Sequence, residues 1–469
     1  MPVPSRSLDI LVVGAGLGGL AAGLALQTDG HKVTILDAVT EFAEVGAGIR
    51  IPPNSSRLLI RWGVDLDRIK KSTASRYHFI RWKDGATIFN LPFVDSVQDH
   101  GAPYWLVHRA DLHAALLDAA RRAGATIVTS SRVVVYDMDA PSVTTADGTA
   151  YTADLVIGAD GIKSTCRPLL TGRPDVPRDT GDVAYRILIP AEKLLADPDL
   201  APLITQPCST SWCGPDAHLV GYPIRAGELY NVVVCATSRN ETTSNTWVVR
   251  GDNSELRLRF ASWTTQVRKL CALTGDFLKW RLCDLPNLTR WVHPSGKVVL
   301  LGDSCHPMLP YLAQGAAQAF EDASVLRQVL RVALSSADLS MGSDGATSSL
   351  PPPDLHAALL RYERIRMPRA SLVQSTTREH QHLLHIDDGL EQEERDHRLS
   401  RDHPDSPVFW GYVERKNWLF GHDADVIIKE GDNWREGAGL HVVQASHVVD
   451  GVQGAGTNGV GGINGVAVH

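Results

Sequence analysis

The chain has 469 residues, 43% of them hydrophobic and 21% charged, with a formal net charge of −7. That length implies two packed subdomains rather than one core. The mildly acidic balance, with Lys and Arg scattered, argues against nucleic acid or anionic lipid as a partner.

Seven dispersed cysteines (Cys166, Cys208, Cys213, Cys235, Cys271, Cys283 and Cys305) include no C-x-x-C pair. They read as reduced, mostly buried thiols of a cytoplasmic protein, not as a metal site or redox dithiol. The first apolar run leads straight into a glycine loop, which is not how a signal peptide reads. No window approaches the roughly 20 apolar residues of a transmembrane segment.

Residues 8–13 are a β-branched apolar run, 14–19 a glycine turn, 20–27 an Ala/Leu helix and 32–36 a second apolar strand ending at Asp37. This is one strand–turn–helix–strand unit of a parallel sheet. A helix is predicted over 111–123, and short strands over 126–128, 133–136 and 142–145, with a turn at Asp147-Gly148. A buried strand at 154–157 ends in Gly158-Ala159-Asp160-Gly161. The texture changes from 182 to 285, where runs at 184–189, 218–223 and 229–236 read as antiparallel strands of an inserted β-sheet domain. Residues 297–301 return to a buried strand, followed by Gly302-Asp303 and a helix over 315–332. Residues 335–354 are Ser/Gly/Pro-rich and read as a mobile loop, and 355–378 as a helix. The charged stretch 391–405 is expected to be solvated, Asp423 and Asp425 to be surface charges, and the Gly-rich end at 451–469 to be disordered.

Three motifs carry chemistry. Gly14-Ala15-Gly16-Leu17-Gly18-Gly19 fits G-x-G-x-x-G between a strand and a helix. Gly14 permits the tight turn, Gly16 lets a pyrophosphate approach the backbone, and Gly19 lets the helix pack on the strand. The helix N-terminus supplies N–H groups and partial positive charge. Asp37 stands where an acidic residue binds a ribose hydroxyl. Alone, this motif separates neither FAD from NAD(P). Asp160 lies on a Gly-Ala-Asp-Gly turn that continues to Ser164 and Arg167, and by itself is compatible with any Asp-Gly turn. Asp303 follows another buried strand, where a carboxylate serves either to accept from a ribityl hydroxyl or only as part of a helix-capping turn. The helix start at Gly315 and Ala316 suits the electron-rich edge of a flavin. In this order the three motifs point to FAD. His306, beside Pro307, reads as structural, since no second His or carboxylate has ligand spacing, and no metal is expected.

With these motifs the chain resembles the class A flavoprotein monooxygenases of the para-hydroxybenzoate hydroxylase fold, most closely their fungal salicylate-hydroxylase-like branch. The resemblance runs from about Leu8 to Asp425 and includes Gly46-Ala47-Gly48-Ile49, Arg109-Ala110-Asp111-Leu112, Ala184-Tyr185-Arg186, the Tyr362 to Arg369 run and Trp418-Leu419-Phe420-Gly421-His422-Asp423-Ala424. It implies an α/β fold: a Rossmann-like FAD-binding domain (1–181 and 286–334), an inserted β-sheet substrate domain (182–285) and a C-terminal helical segment (355–450).

The resemblance also implies roles. Asp37 takes the adenosine ribose, where many relatives have Glu. Arg109 contacts FAD on its adenosine and phosphate side, and Gly48 and Arg50 lie in the stretch that approaches the flavin. Asp303 binds the ribityl or phosphate region, Gly315 and Ala316 the isoalloxazine, and Asp160 the FAD phosphate and NAD(P)H region. NADPH or NADH binds transiently. Arg186 and Tyr222 match positions that act at the substrate in some fungal relatives. Arg186 is otherwise an ion-pair partner in the sheet and Tyr222 a core aromatic. The implied reaction uses NAD(P)H and O2 to hydroxylate or epoxidise a phenol or indole through a flavin C4a-hydroperoxide, with secondary metabolism, including indole alkaloids, as a setting. The alternatives are an FAD oxidase or dehydrogenase without oxygen insertion, and a non-catalytic flavin-binding protein.

Overall fold

Four strands that are buried almost throughout, Asp9–Val13, Lys32–Leu36, Leu155–Gly158 and Val298–Leu300, build most of a five-stranded parallel sheet. Thr126–Val128 closes one edge beside Lys32–Leu36. The spatial order is 298–300, 155–158, 9–13, 32–36, 126–128. In register, Val13 lies opposite both Leu36 and Gly158, and Gly158 opposite Leu300. The residues that follow these strand ends (Gly14, Asp37, Asp160 and Asp303) therefore leave the sheet along one edge. Ligands of open parallel sheets bind at this carboxyl-end edge. This computed structural model describes residues 6–42, 47–93, 95–238, 247–275, 277–335 and 355–428. Gly46, residues 336–354 of the predicted loop, 429–450 and the tail at 451–469 lie outside them.

The Leu17–Thr28 helix packs between the Arg109–Ala123 and Gly315–Ser335 helices, covering the sheet. An eight-stranded, mainly antiparallel sheet follows the order 248–251, 277–284, 178–190, 229–237, 217–224, 209–214, 76–81, 87–92. It thus also takes in two strands from before residue 93. Strand Ala217–Ile224 is buried along its whole length, so both faces of the sheet are covered. Period-two alternation sends Val183, Tyr185, Leu219 and Val234 into one core and Ala184, Val220, Tyr222 and Cys235 toward the other. This second face looks onto the 309–312 segment and forms the wall of the site. A small sheet of Gly48–Ile51, Trp105–His108 and Ser72–Thr73 completes that wall.

The charged stretch 391–405 is mostly exposed, as expected, with one buried face: helix Leu390–Leu399 buries Gln392, Arg395 and Leu399, a spacing of i, i+3, i+7. One sequence expectation is corrected. Asp423 and Asp425 are not free surface charges: both pair with Arg61, at 2.6 and 3.3 Å, and each side chain is mostly shielded. All seven cysteines are free thiols, and all but Cys283 are buried. Among the described residues, no helix is long and apolar enough to cross a membrane.

Candidate active site

At the carboxyl edge of the parallel sheet, the glycines divide by what constrains them. Gly14 has φ of 108°, and a Cβ there would strike the Ala159 carbonyl; one on Gly19 would strike the Gly14 carbonyl. Packing alone demands these two. A Cβ on Gly16 would meet nothing within 4 Å. Gly16 is the N-cap of the Leu17–Thr28 helix, which has no side-chain cap and no acidic residue in its first turn. Its N–H groups and partial positive charge are left for an anion. The adjoining groove, about 490 Å3, is lined by Ala15, Gly16, Asp37, Arg109, His113 and Arg225 among others. Asp37 accepts from Ala15 N at 2.6 Å and from Val39 N at 2.9 Å. Each oxygen keeps a lone pair for a further donor.

Asp160 and Asp303 differ in what they hold. One oxygen of Asp160 accepts from Thr165 N (2.8 Å) and Cys166 N (3.2 Å), capping the Cys166–Thr171 helix. Its other oxygen is buried without a partner. The Asp303 carboxylate remains exposed and makes no hydrogen bond or ion pair among the described residues. Displacement of surrounding water raises its pKa, with help from Asp322, against the opposing charges of His306 and Arg109.

A second, inner cavity of about 210 Å3 is lined by Gly48, Arg50, Arg109, Arg186, His218, Tyr222, Gly315 and Ala316, among others. Arg109 lines both spaces, so the two meet at its side chain. Gly315 opens the 21-residue Gly315–Ser335 helix, whose first turn also lacks an acidic residue. The amide Nε2 of Gln314, just before it, is a buried donor with no acceptor. Gly48 donates its N–H to Asn231 Oδ1 at 2.7 Å, and a Cβ there would crowd the Tyr222 ring. The cavity lining contains three arginines (Arg50, Arg109 and Arg186) and no Asp or Glu. Burial lowers the pKa of Arg109, and repulsion from Arg186 adds to this while Asp303 opposes it. Arg186 forms no ion pair among the described residues, so the sheet-pairing alternative for it finds no partner there.

One set of residues has no signal in the sequence. His218 lines the cavity, and its Nδ1 lies 2.8 Å from Nε2 of His385, 167 residues away. His385 Nδ1 is 3.4 Å from buried Asp182, which also accepts from the Tyr311 hydroxyl at 2.6 Å. With Asp182 ionised, His385 keeps its proton on Nδ1, and its Nε2 accepts from His218 Nδ1–H. His218 Nε2 is then a lone-pair acceptor. Burial holds the His218 pKa well below the ordinary histidine value, and His385 and Arg50 push it the same way.

A buried ionic network stands behind the cavity. Arg366 donates to Asp322 (2.8 Å) and Glu321 (2.6 Å), and Arg369 donates to Glu321 (2.8 Å). Asn54 bridges Gln314 and Glu321, at 3.0 and 2.7 Å. Asp322 fixes the Asp303 turn by accepting from Gly302 N at 3.0 Å. Burial opposes the Glu321 charge, but Arg369 and Arg366 prevail and hold its carboxyl well below the usual range. His306 lacks a carboxylate partner by sequence spacing, yet the fold brings Asp322 to within 2.5 Å of its Nε2. Cys305, His306 and Asp322 place three ligand-type atoms within 4.8 Å of one another. The Asp322 oxygens are already committed to Arg366, Gly302 and His306, which makes this a structural cluster.

The fold and site are those of a flavin-binding α/β oxidoreductase. Residues 7–192 match the FAD binding domain family. The chain is 36% identical to the FAD-dependent monooxygenase OpS4 of Beauveria bassiana, covering 90% of this chain and 96% of that one. It is 35% identical to the 3-amino-4-hydroxybenzoate 2-monooxygenase PtmB3 of Streptomyces platensis, over 88% of this chain and 96% of that one. A solved salicylate hydroxylase–substrate complex superposes with a TM-score of 0.71 at 25% identity, covering 90% of this chain and 97% of that one. The chain belongs to the FAD-dependent monooxygenases. The residues present fit the cofactor: an uncapped helix start at Gly16, free Asp303, the unpaired amide nitrogen of Gln314 and a second helix start, at Gly315, with no acidic residue in its first turn.

Proposed function

We propose that the protein hydroxylates a single-ring phenol, with O2 as oxidant and NADH or NADPH as reductant. The observation that carries this reading is the His218–His385–Asp182 chain opening on the inner cavity. The inner cavity, about 210 Å3, is shared in this reading between the isoalloxazine edge and the substrate ring. In this reading Gly14, Gly16 and Gly19 form the pyrophosphate turn, Asp37 takes the adenosine ribose, and Asp160, Asp303 and Arg109 serve the phosphate and ribityl portion. Gly48, Gly315 and Ala316 flank the isoalloxazine.

Bound FAD supplies the activated oxygen. The protein's part is to hold the ring, exclude water and manage the proton. His218 Nε2 accepts the phenolic proton and passes its Nδ1 proton to His385, which becomes an imidazolium beside the Asp182 carboxylate. The resulting phenolate is richer in electrons at its ortho and para carbons, where oxygen adds. Arg186 stabilises the developing negative charge, and Tyr222 hydrogen-bonds the substrate. A proton acceptor favours phenol over an indole 2,3-epoxidation, which releases no proton. The relatives named for a hydroxybenzoate and for salicylate support the same substrate class.

The test is a panel of hydroxybenzoates and indoles with purified, flavin-loaded protein. A phenol should accelerate NAD(P)H oxidation and emerge heavier by one oxygen atom drawn from labelled O2. A desaturated product without added oxygen overturns the reading in favour of an oxidase or dehydrogenase. A flavin that no nicotinamide reduces points to a binding protein.

A further inference from the structure

Arg50 is a buried cation without an anion. Its side chain is only 8% exposed, and it lies over the Tyr77 ring at 4.8 Å. Among the described residues it pairs with no carboxylate, and its side-chain hydrogen-bond partner is the hydroxyl of Tyr77, a neutral group. A guanidinium cannot shed its charge in a protein, and burying an unpaired charge is costly. The guanidinium opens instead onto the inner cavity, which it lines together with Tyr77 and Tyr222. The strand geometry explains this aim. Gly48 and Arg50 are two apart on Gly48–Ile51 and share a face, and Gly48 packs directly on Tyr222. Arg109 lines both the inner cavity and the groove beside Gly16, whereas Arg50 lines the inner cavity and not that groove.

We propose that Arg50 anchors the substrate rather than the cofactor, and that the substrate is an aromatic carboxylate whose carboxyl group ion-pairs with Arg50. This rests on the phenol-hydroxylase reading and deepens it: one ring carries a hydroxyl for His218 and a carboxylate for Arg50. The cavity offers no acidic side chain to compete for the guanidinium. Tyr77 holds the guanidinium by a cation–π contact and one hydrogen bond, and the remaining N–H donors of the five are left for a carboxylate.

The experiment follows the perturbation of bound flavin absorbance by benzoate, 3-hydroxybenzoate, salicylate, and the matching neutral benzamides. It uses the FAD-loaded wild type and the variants Arg50→Gln and Arg50→Lys. Wild type should bind each acid more tightly than its amide by about ten-fold or more, the worth of one charged hydrogen bond. Arg50→Gln should lose that preference while keeping full FAD occupancy, and Arg50→Lys should restore part of it. Loss of FAD from both variants assigns Arg50 to the cofactor and overturns the proposal. So does an acid preference that survives in Arg50→Gln, or wild-type protein that binds no acid. Benzoate has no hydroxyl to oxidise. Its Arg50-dependent binding supports the anchor even if every hydroxylated ring fails as a substrate, so the two readings fail separately.

Discussion

Arg366 and Asp322 meet at 2.8 Å with both side chains fully buried, and the same carboxylate accepts from Gly302 N in the turn that presents Asp303. A helix near the C-terminal end of the described chain thus sets the position of a cofactor-facing turn. Breaking one side of a buried pair leaves the other charge without compensation and costs about 3–5 kcal/mol. Arg366→Met should therefore lower unfolding stability by that amount and reduce FAD occupancy as the Asp303 turn loosens. Denaturant unfolding of the apoprotein and flavin absorbance of the purified variant measure the two effects. Unchanged stability would show that Arg366 is not what holds Asp322.

His218→Asn should leave FAD bound and reduce turnover about 100-fold or more, the range of a lost general base. The pH profile carries the sharper signature. Since burial holds the His218 pKa well below 6.5, the imidazole is neutral through the neutral range. Wild-type activity should therefore stay level near neutrality and fall only on acidification, as His218 becomes protonated. In His218→Asn that acid limb should vanish from the residual rate. An acid limb that persists unchanged would assign it to another group.

The parts of the site that were legible in the sequence are those set by local geometry. Gly14 to Gly19 and Asp37 lie within one strand–turn–helix–strand unit, and Asp160 and Asp303 each follow a buried strand, so parallel pairing alone brings them to one edge. His218 and His385 carry no such local signal. One sits within a strand and the other just past a helix, and only the docking of that helix on the sheet joins them. The run from Tyr362 to Arg369 stood out by resemblance, but its charges gave no hint of burial, because their partners Glu321 and Asp322 lie more than 40 residues away. In the mostly exposed stretch 391–405, the buried face of Gln392, Arg395 and Leu399 was legible only as an i, i+3, i+7 spacing, which overall charge concealed.

Gly16 and Gly19 should separate a ligand's demand from the fold's. A Cβ on Gly19 would collide with the Gly14 carbonyl, whereas one on Gly16 meets open space. Gly19→Ala should destabilise the apoprotein by about 1–3 kcal/mol through overpacking. Gly16→Val should leave apoprotein stability within about 1 kcal/mol of wild type and weaken FAD binding about ten-fold or more. Apoprotein denaturation and FAD titration by fluorescence distinguish the cases. If Gly16→Val binds FAD as tightly as wild type, the phosphate does not pass that residue.

The last prediction concerns acid stability and rests on His380. Its Nδ1 lies 2.8 Å from the Thr376 carbonyl, and its Nε2 accepts from Phe409 N at 2.9 Å. That arrangement requires the neutral ring, because a proton on Nε2 would remove the acceptor. Burial pushes the pKa down to about 4, with the Thr376 carbonyl opposing the shift and Arg415 reinforcing it. A folded-state pKa below the unfolded value means that the unfolded chain binds the proton first. The contribution of His380 is therefore fully present above about pH 6.5 and is lost progressively as the pH falls toward 4. The loss is about 3 kcal/mol at most. Other buried histidines titrate in the same window, among them His100, also pushed down to about 4, so the measurement is a difference. His380→Gln keeps an acceptor for Phe409 N but cannot titrate. It should start less stable than wild type at pH 7.5 and close the gap by pH 4.5. Unfolding curves that stay parallel across that range would show that His380 keeps the same protonation state in the folded and unfolded chains.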